Sequence, residues 1–134
     1  MAEETVVREP LLEAMIESGR RLIGLLDTSK FDIIAALWLY TSSAGEWRLV
    51  LATPLVEDRG PQPIYERIRS VLHEHADQVP GLSLSNISVV SPEEALVKAL
   101  RTAIKTDKSL HSIRFTRNRI NDLFIEDALI YRAA

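Results

Sequence analysis

An uninterrupted apolar segment, Ile33 to Tyr40, constrains the fold of this chain more than any other feature. Its eight residues are far fewer than the roughly 20 that a membrane-spanning helix needs. The Ser-Ser-Ala-Gly sequence of residues 42–45 follows it and is typical of a turn. A strand that is apolar at consecutive positions must be covered on both faces. We therefore expect a central strand in a sheet that is packed on both sides.

The remaining periodicities predict a single compact α/β (α+β) domain over residues 10–134, preceded by a polar N-terminal arm over residues 1–9. The predicted order is α-β-β-α-β-α-β-β, with five strands in one mixed sheet, because helical crossovers favour parallel neighbours. The three helices are expected at about 10–28, from 58–63 to 77, and from 92 to 106. The strands are expected at 33–40, 47–52, 82–90, 110–116 and 123–132.

Several single residues carry finer structural expectations. Gly19 lies on the apolar face of the first helix, where a close backbone approach explains a glycine. Asn86 is expected at a bulge within the strand 82–90. Ser91, with Glu94 three positions later, predicts a capping box at the start of the third helix. Residues 117–122 are expected to form the turn between the last two strands.

The composition excludes several classes of protein. The chain contains no cysteine, so it can have no disulfide framework, thiol nucleophile or cysteine zinc site. Its N-terminus is acidic where a secretory signal would be basic. These features predict a soluble cytoplasmic protein that does not associate with membranes.

The charge is unevenly distributed along the chain. The formal net charge is −3, which gives no overall attraction to nucleic acid. Residues 101–121, however, hold six basic residues and one acidic residue. The segment 101–119 is therefore a possible nucleic-acid interface, because phosphate contacts need only clustered cations. The alternative, which we favour, is a solvated hairpin tip whose arginines pair with the acidic body.

Two acids in the last predicted strand are the best candidates for chemistry. Glu126 and Asp127 lie inside an apolar run, and a buried carboxylate requires a partner. One interpretation is a carboxylate–arginine site for a phosphate, a metal or a polar ligand, in which the candidate binding residues are Arg114, Arg117 and Arg119. The other, which we favour, is a structural arginine–carboxylate pairing at an edge strand, in which neighbouring arginines neutralise both acids. Neighbours in a strand face opposite sides, so both acids share one ion only if a bulge intervenes.

No other motif predicts a cofactor or a metal. His73 and His75 are 200° apart on a helix and cannot share one ion. His111 and Ser112 stand beside no acid at recognisable spacing, and the chain has no glycine-rich phosphate loop. The aromatic residues Trp38, Tyr40 and Trp47 are expected to pack across the first hairpin, although an exposed aromatic interface is the alternative.

The C-terminal hairpin resembles small bacterial proteins that have no assigned activity. The similarity lies in residues 113–118 and 124–132 and extends back to the strand 36–40. This resemblance supplies no catalytic motif and no functional residue. It implies a stand-alone bacterial cytoplasmic domain.

The sequence favours a non-enzymatic protein-interaction or ligand-binding module that self-associates. Catalytic motifs are absent from the sequence, and the two apolar hairpins offer sheet edges or faces that a partner can cover. The alternative is a metal-dependent phosphodiester hydrolase. In that case Glu126 and Asp127 would position a divalent ion, and Arg114 and Arg117 would hold the phosphate.

Overall fold

One five-stranded sheet organises the protein. The computed structural model describes residues 10–134, and the predicted arm over residues 1–9 lies outside the described residues. The helices are α1 (Glu13–Thr28), α2 (Leu55–Arg59), α3 (Pro61–Glu74) and α4 (Ala95–Ala103). The strands are β1 (Ala35–Thr41), β2 (Glu46–Ala52), β3 (Ile87–Val90), β4 (Ile113–Ile120) and β5 (Leu123–Ala133).

The strand order confirms the predicted mixed sheet with β1 at its centre. The strands lie in the order β3-β2-β1-β5-β4. Strands β2 and β3 are parallel and the other neighbouring pairs are antiparallel. Leu37 and Trp38, which face opposite sides of β1, are both 0% exposed. Helices α1 and α3 cover the Trp38 face, and α4 covers the Leu37 face, so the two-sided apolar pattern reflects packing on both sides.

A close contact between α1 and the sheet explains Gly19. A Cβ atom added there would lie 2.6 Å from the Tyr131 hydroxyl and 2.9 Å from Trp38 Nε1. Trp38 Nε1 donates a hydrogen bond of 2.9 Å to that hydroxyl, which in turn donates one of 2.6 Å to the Ile16 carbonyl. Burial raises the pKa of Tyr131 to about 12. The predicted close approach is confirmed.

The aromatic residues of the first hairpin are core residues, as predicted. Trp38, Tyr40 and Trp47 are 0%, 5% and 3% exposed. The rings of Tyr40 and Trp47 lie 5.5 Å apart at an interplanar angle of 52°, a tilted arrangement that aromatic pairs prefer. The alternative of an exposed aromatic interface is therefore wrong.

A bulge near the end of β5 redirects two side chains. Ala36 is paired with Arg132, but the next residue, Leu37, is paired with Ile130. Tyr131 is therefore the extra residue of a β-bulge. Tyr131 and Arg132 both reach α1, where Tyr131 bonds to the Ile16 carbonyl and Arg132 pairs with Asp27.

The predicted strand over residues 82–90 is only partly correct. Residues Leu84–Asn86 form a 3₁₀ turn, and β3 begins at Ile87. The Asn86 side chain accepts a hydrogen bond of 3.1 Å from the backbone N–H of Ser83. Asn86 therefore caps a turn, and the predicted bulge at this residue is wrong.

The predicted capping box at Ser91 is also wrong. Helix α4 begins at Ala95 with Glu94 as its N-cap, so Glu94 lies outside the helix. The Ser91 hydroxyl instead donates a hydrogen bond of 2.7 Å to Glu57 and accepts one of 3.0 Å from the N–H of Glu93. These contacts hold a turn that precedes the helix.

The last hairpin is longer than predicted. Strand β4 continues to Ile120, and the turn contains only Asn121 and Asp122, so most of the predicted turn 117–122 is strand. Ile120 and Ile125 belong to the same buried cluster as Leu100 of α4. This packing explains why β4 stays paired with β5 as far as Ile120, although the alternating pattern in the sequence ends at Thr116.

None of the helices within residues 10–134 combines the length and apolar character needed to cross a bilayer.

Candidate functional site

The edge hairpin, defined here as residues 113–127, contains all five candidate site residues. Strand β4 is the outermost strand at this end of the five-stranded sheet. Its side chains at Arg114 and at residues 116–119 are exposed, whereas Ile120 is buried. The hairpin therefore presents a cationic outer strand on an apolar support.

Asp127 is held by Arg114 in a bidentate pair. Arg114 Nε and Nη2 each donate a hydrogen bond of 2.7 Å to the Asp127 carboxylate. Thr116 donates a third hydrogen bond of 3.2 Å, because Thr116 is directly opposite Asp127 in the β4–β5 register. The hydrogen bond to Asp127 raises the pKa of Arg114 further above its usual value. The favoured interpretation, a structural arginine–carboxylate pair, describes this geometry. The predicted edge position of the acid is wrong, because Asp127 lies on β5, which has a neighbouring strand on each side.

The outer face of this pair is a flat cationic group beside an aromatic ring. The Asp127 side chain is 7% exposed, whereas that of Arg114 is 52% exposed. The Arg114 guanidinium carbon lies 5.6 Å from the centroid of the Trp47 ring, within the range of a cation–π contact. The carboxylate is thus covered while the guanidinium still meets solvent.

Glu126 has a different partner from the one expected. Its carboxylate accepts a hydrogen bond of 2.9 Å from the backbone N–H of Ser42 and one of 3.1 Å from the Ser42 hydroxyl. Glu126 therefore stabilises the turn between β1 and β2 through these two hydrogen bonds. We expected an arginine to neutralise both acids, which holds for Asp127 and is wrong for Glu126.

The structure does not bring the two acids to a common site. Glu126 contacts the β1–β2 turn, while Asp127 contacts β4. Within residues 10–134, no group of three or more histidine, aspartate or glutamate side chains is arranged to hold a metal ion. The hydrolase hypothesis gains no geometric support from this arrangement.

Arg117 and Arg119 form an exposed cationic surface with Phe124. Arg117 has a φ of 47°, which is uncommon for a residue with a side chain. It lies within β4, three residues before Ile120, which belongs to the same buried cluster as Leu100 of α4. The Arg119 guanidinium carbon lies 5.9 Å from the Phe124 ring centroid, and Phe124 is 55% exposed.

The basic segment 101–119 does not form one continuous cationic row. Arg101 donates to the Ala134 carbonyl at 2.5 Å, and Lys108 to Asp32 at 3.1 Å. Together with Arg114, half of the six basic residues therefore have protein acceptors. This arrangement weakens the case for a nucleic-acid interface, which needs its cations available to phosphates.

Among the described residues, the contacts of His111 and His75 do not form a catalytic triad. His111 Nε2 lies 2.9 Å from Asp107 Oδ1 and 3.2 Å from the Ser109 hydroxyl. A Ser-His-Asp triad needs the acid and the serine on different ring nitrogens, so this cluster is not a triad. Hydrogen bonds from Ser109 and His111 lower the pKa of Asp107 to about 2. His75 ends α3 and lies 3.3 Å from the Gln78 side chain.

Sequence reasoning missed three residues of this hairpin site: Ser42, Trp47 and Thr116. Ser42 is 84 positions from Glu126, so no local pattern connects the two. The contact of Thr116 could be predicted from the sequence, since an antiparallel hairpin with a two-residue turn places Thr116 opposite Asp127. The predicted turn was too long to give that register.

Comparison of the chain with protein-family models, with curated proteins and with solved structures gives no match. Fold and site together define the class: a mixed α+β domain that carries an arginine-rich hairpin at one edge of its sheet.

Proposed function

We propose that this protein is a self-associating interaction module in which the edge hairpin of one copy receives the acidic residues 2–9 of a second copy. The observation that carries the proposal is the cationic outer strand β4, which ends the sheet with Arg117 and Arg119 exposed. An outermost strand offers backbone donors and acceptors to an additional strand.

The charge of β4 selects the kind of segment that can add to it. Strand β4 carries three arginines and no acidic residue. Pairing two copies of β4 would bring arginines against arginines, which is unfavourable for residues directly opposite in a sheet. An acidic extended segment has the complementary charge.

The N-terminal sequence has the composition that this surface requires. Residues 2–9, Ala-Glu-Glu-Thr-Val-Val-Arg-Glu, hold three glutamates and one arginine. Their centre, Thr5-Val6-Val7, is β-branched, and β-branched residues favour extended pairing. Reciprocal exchange of this segment between two copies gives a closed two-fold dimer.

Sedimentation velocity over a range of concentrations tests the proposal. We expect the full chain to form dimers, and Arg117→Glu with Arg119→Glu to shift it to monomers. The matched control is Arg69→Glu, which reverses an exposed arginine on α3. Adding Glu3→Arg and Glu4→Arg to the hairpin variant should restore dimers by exchanging the charges. A full chain that remains monomeric, or a dimer unaffected by the hairpin reversal, would contradict the proposal.

The variant Arg117→Gly distinguishes an effect on dimerisation from an effect on the stability of the fold. Glycine adopts a φ of 47° without the steric penalty of about 1 kcal/mol that a side chain incurs. We expect a free energy of unfolding that is unchanged or higher, together with weaker dimerisation, measured by urea unfolding and sedimentation. Dimerisation equal to that of the unmodified chain would show that the Arg117 side chain makes no intermolecular contact.

Nucleic acid is the competing partner for the same arginines. A short DNA duplex and a single-stranded RNA should bind weakly, since half of the basic residues in 101–119 have protein acceptors. Tight binding that falls steeply with salt, in a chain that sediments as a monomer, would replace self-association with nucleic-acid binding.

A further inference from the structure

A charged cleft lies between two loops, well separated along the chain from the edge hairpin's turn. One wall is the loop between α1 and β1, and the other is the loop between α4 and β4. The cleft has a volume of about 420 Å³, within the range of small-molecule sites. We call it the loop cleft. Its lining residues are Asp27, Lys30, Asp32, Ile33, Lys108 and Arg132.

Arg132, which the β5 bulge turns toward α1, contributes a buried cation to this cleft. Its side chain is 4% exposed. It donates hydrogen bonds of 3.0 and 2.9 Å to the Asp27 carboxylate and one of 2.8 Å to the Ile33 carbonyl. Its Nε atom has no hydrogen-bond partner among the described residues. A buried guanidinium with an unsatisfied N–H is costly, and such groups call for an explanation in native structures.

Backbone contacts hold the wall that contains Lys108. The backbone N–H of Thr106 donates to the Ala133 carbonyl at 2.8 Å, and that of His111 donates to the Tyr131 carbonyl at 2.7 Å. Lys108 then crosses the cleft to Asp32, with an N–O distance of 3.1 Å. The loop is therefore tied to β5 on both sides of Lys108, so the fold itself holds this wall of the cleft.

On the opposite wall, Lys30 has a left-handed backbone conformation that a glycine would adopt with less strain. The backbone N–H of Phe31 donates to the Leu26 carbonyl at 3.2 Å, and that of Lys30 donates to the Asp27 carbonyl at 3.2 Å. These two bonds are a Schellman motif, and Lys30 occupies its left-handed position with a φ of 60°. Glycine is the usual residue there. The lysine adds backbone strain and places a cation in the cleft, and strain of this kind is concentrated at functional sites.

The balance of charge indicates the ligand. Three cations, Lys30, Lys108 and Arg132, face two carboxylates, so the lining has an excess of one positive charge. Asp27 and Asp32 already pair with Arg132 and Lys108, so the excess positive charge is that of Lys30. An anionic headgroup can pair with Lys30 and compete with the exposed Asp32 for Lys108, while the carboxylates can accept hydrogen bonds from hydroxyl groups. We propose that the loop cleft binds a small hydroxylated organic anion with a phosphate or carboxylate headgroup.

Amide chemical shifts of the full-length, ¹⁵N-labelled chain test this site. The probes are ribose 5-phosphate, gluconate and, as the neutral comparison, ribose. We expect one of the two anions to shift the amides of residues 30–33 and 107–109 saturably, with ribose about tenfold weaker or more. Sodium chloride at matched ionic strength controls for screening. The absence of a saturable shift with both anions at millimolar concentration, or equal binding of ribose, would overturn the proposal.

Variants of the two lysines connect binding to the cleft itself. Lys30→Gly and Lys108→Gln should each weaken anion binding about tenfold, the change expected for loss of one charged hydrogen bond. Lys105→Gln, which neutralises an exposed lysine outside the lining, should bind as the unmodified chain does. Lys30→Gly should also raise the melting temperature, so weaker binding by this variant cannot be ascribed to unfolding. Unchanged binding in Lys30→Gly would overturn the proposal.

The loop cleft and the edge hairpin give separable results. The variant Arg117→Glu with Arg119→Glu alters the hairpin and leaves all lining residues of the cleft in place. We expect it to bind the anion with unchanged affinity. Loss of anion binding in this variant would contradict a site confined to the cleft.

Discussion

Two arginine–aspartate pairs on β5 have opposite patterns of exposure. In the pair on the edge hairpin, the Asp127 side chain is 7% exposed and that of Arg114 is 52% exposed. In the pair beside the loop cleft, the Arg132 side chain is 4% exposed and that of Asp27 is 38% exposed. Both pairs are bidentate, with N–O distances between 2.7 and 3.0 Å.

The two pairs differ in whether the buried member can become neutral when its partner is lost. A carboxyl group that loses its partner can take up a proton, whereas a guanidinium group cannot lose one in a protein. Arg132 must therefore keep its charge inside the protein, while Asp127 need not. The member of each pair that meets solvent is therefore a cation at the hairpin and a carboxylate at the cleft.

The largest effect is expected from Asp27→Asn. This change leaves the buried Arg132 charge without its counter-ion. Because Asp27 is partly exposed, the free energy of unfolding should fall by about 2–3 kcal/mol, the range for hydrogen bonds to a charged group. Urea unfolding at neutral pH measures it. Asp58→Asn, an exposed acid on α2, is the control and should have little effect. A loss no larger than that of the control would show that Arg132 does not depend on Asp27.

A smaller loss, about 1–2 kcal/mol, is expected from Arg114→Gln, because Asp127 keeps the hydrogen bond from Thr116 and the Arg114 side chain is half exposed. Urea unfolding at neutral pH measures it. A loss that equals that of Asp27→Asn would remove the distinction between the two pairs.

The smallest effect is expected at Asp107, an acid whose partners are exposed. Its pKa is lowered from 3.8 to about 2, chiefly by hydrogen bonds from Ser109 and His111. A lowered carboxyl pKa stabilises the folded state above the unfolded-state value, and this stabilisation is lost as the pH falls from 3.8 through about 2. In Asp107→Asn, that part of the acid dependence should disappear. If the free energy of unfolding depends on acidic pH in the same way in both chains, these hydrogen bonds do not persist in solution.

The sequence predicted the parts of the hairpin that depend on neighbouring residues. An apolar strand with two embedded acids required partners, and Arg114 lay within reach of Asp127 across a hairpin. Contacts between distant segments could not be predicted. Glu126 meets Ser42 across 84 positions, and Arg132 meets Asp27 across 105. Which distant residues meet depends on strand order, and alternating patterns do not specify that order.

The contacts that form the loop cleft were also not predictable from the sequence. Lys30 follows a helix, and a helix end can be read from the sequence, but its left-handed conformation depends on the hydrogen bonds that close the motif. Lys108 belongs to a run of cations that the sequence could only treat as a group. Its pairing with Asp32 required the α4–β4 loop to be fixed along β5.

By itself, the sequence determined that β1 is central, that the sheet is mixed and that Gly19 marks a close approach, because hydrophobic periodicity and the size of a side chain act locally. The tertiary structure alone decided where Arg132 points. A one-residue bulge at Tyr131 turns the guanidinium toward α1, and a strand's side-chain direction reverses with each residue of register. That register is set by packing across the whole sheet, so the cleft exists only in the folded chain.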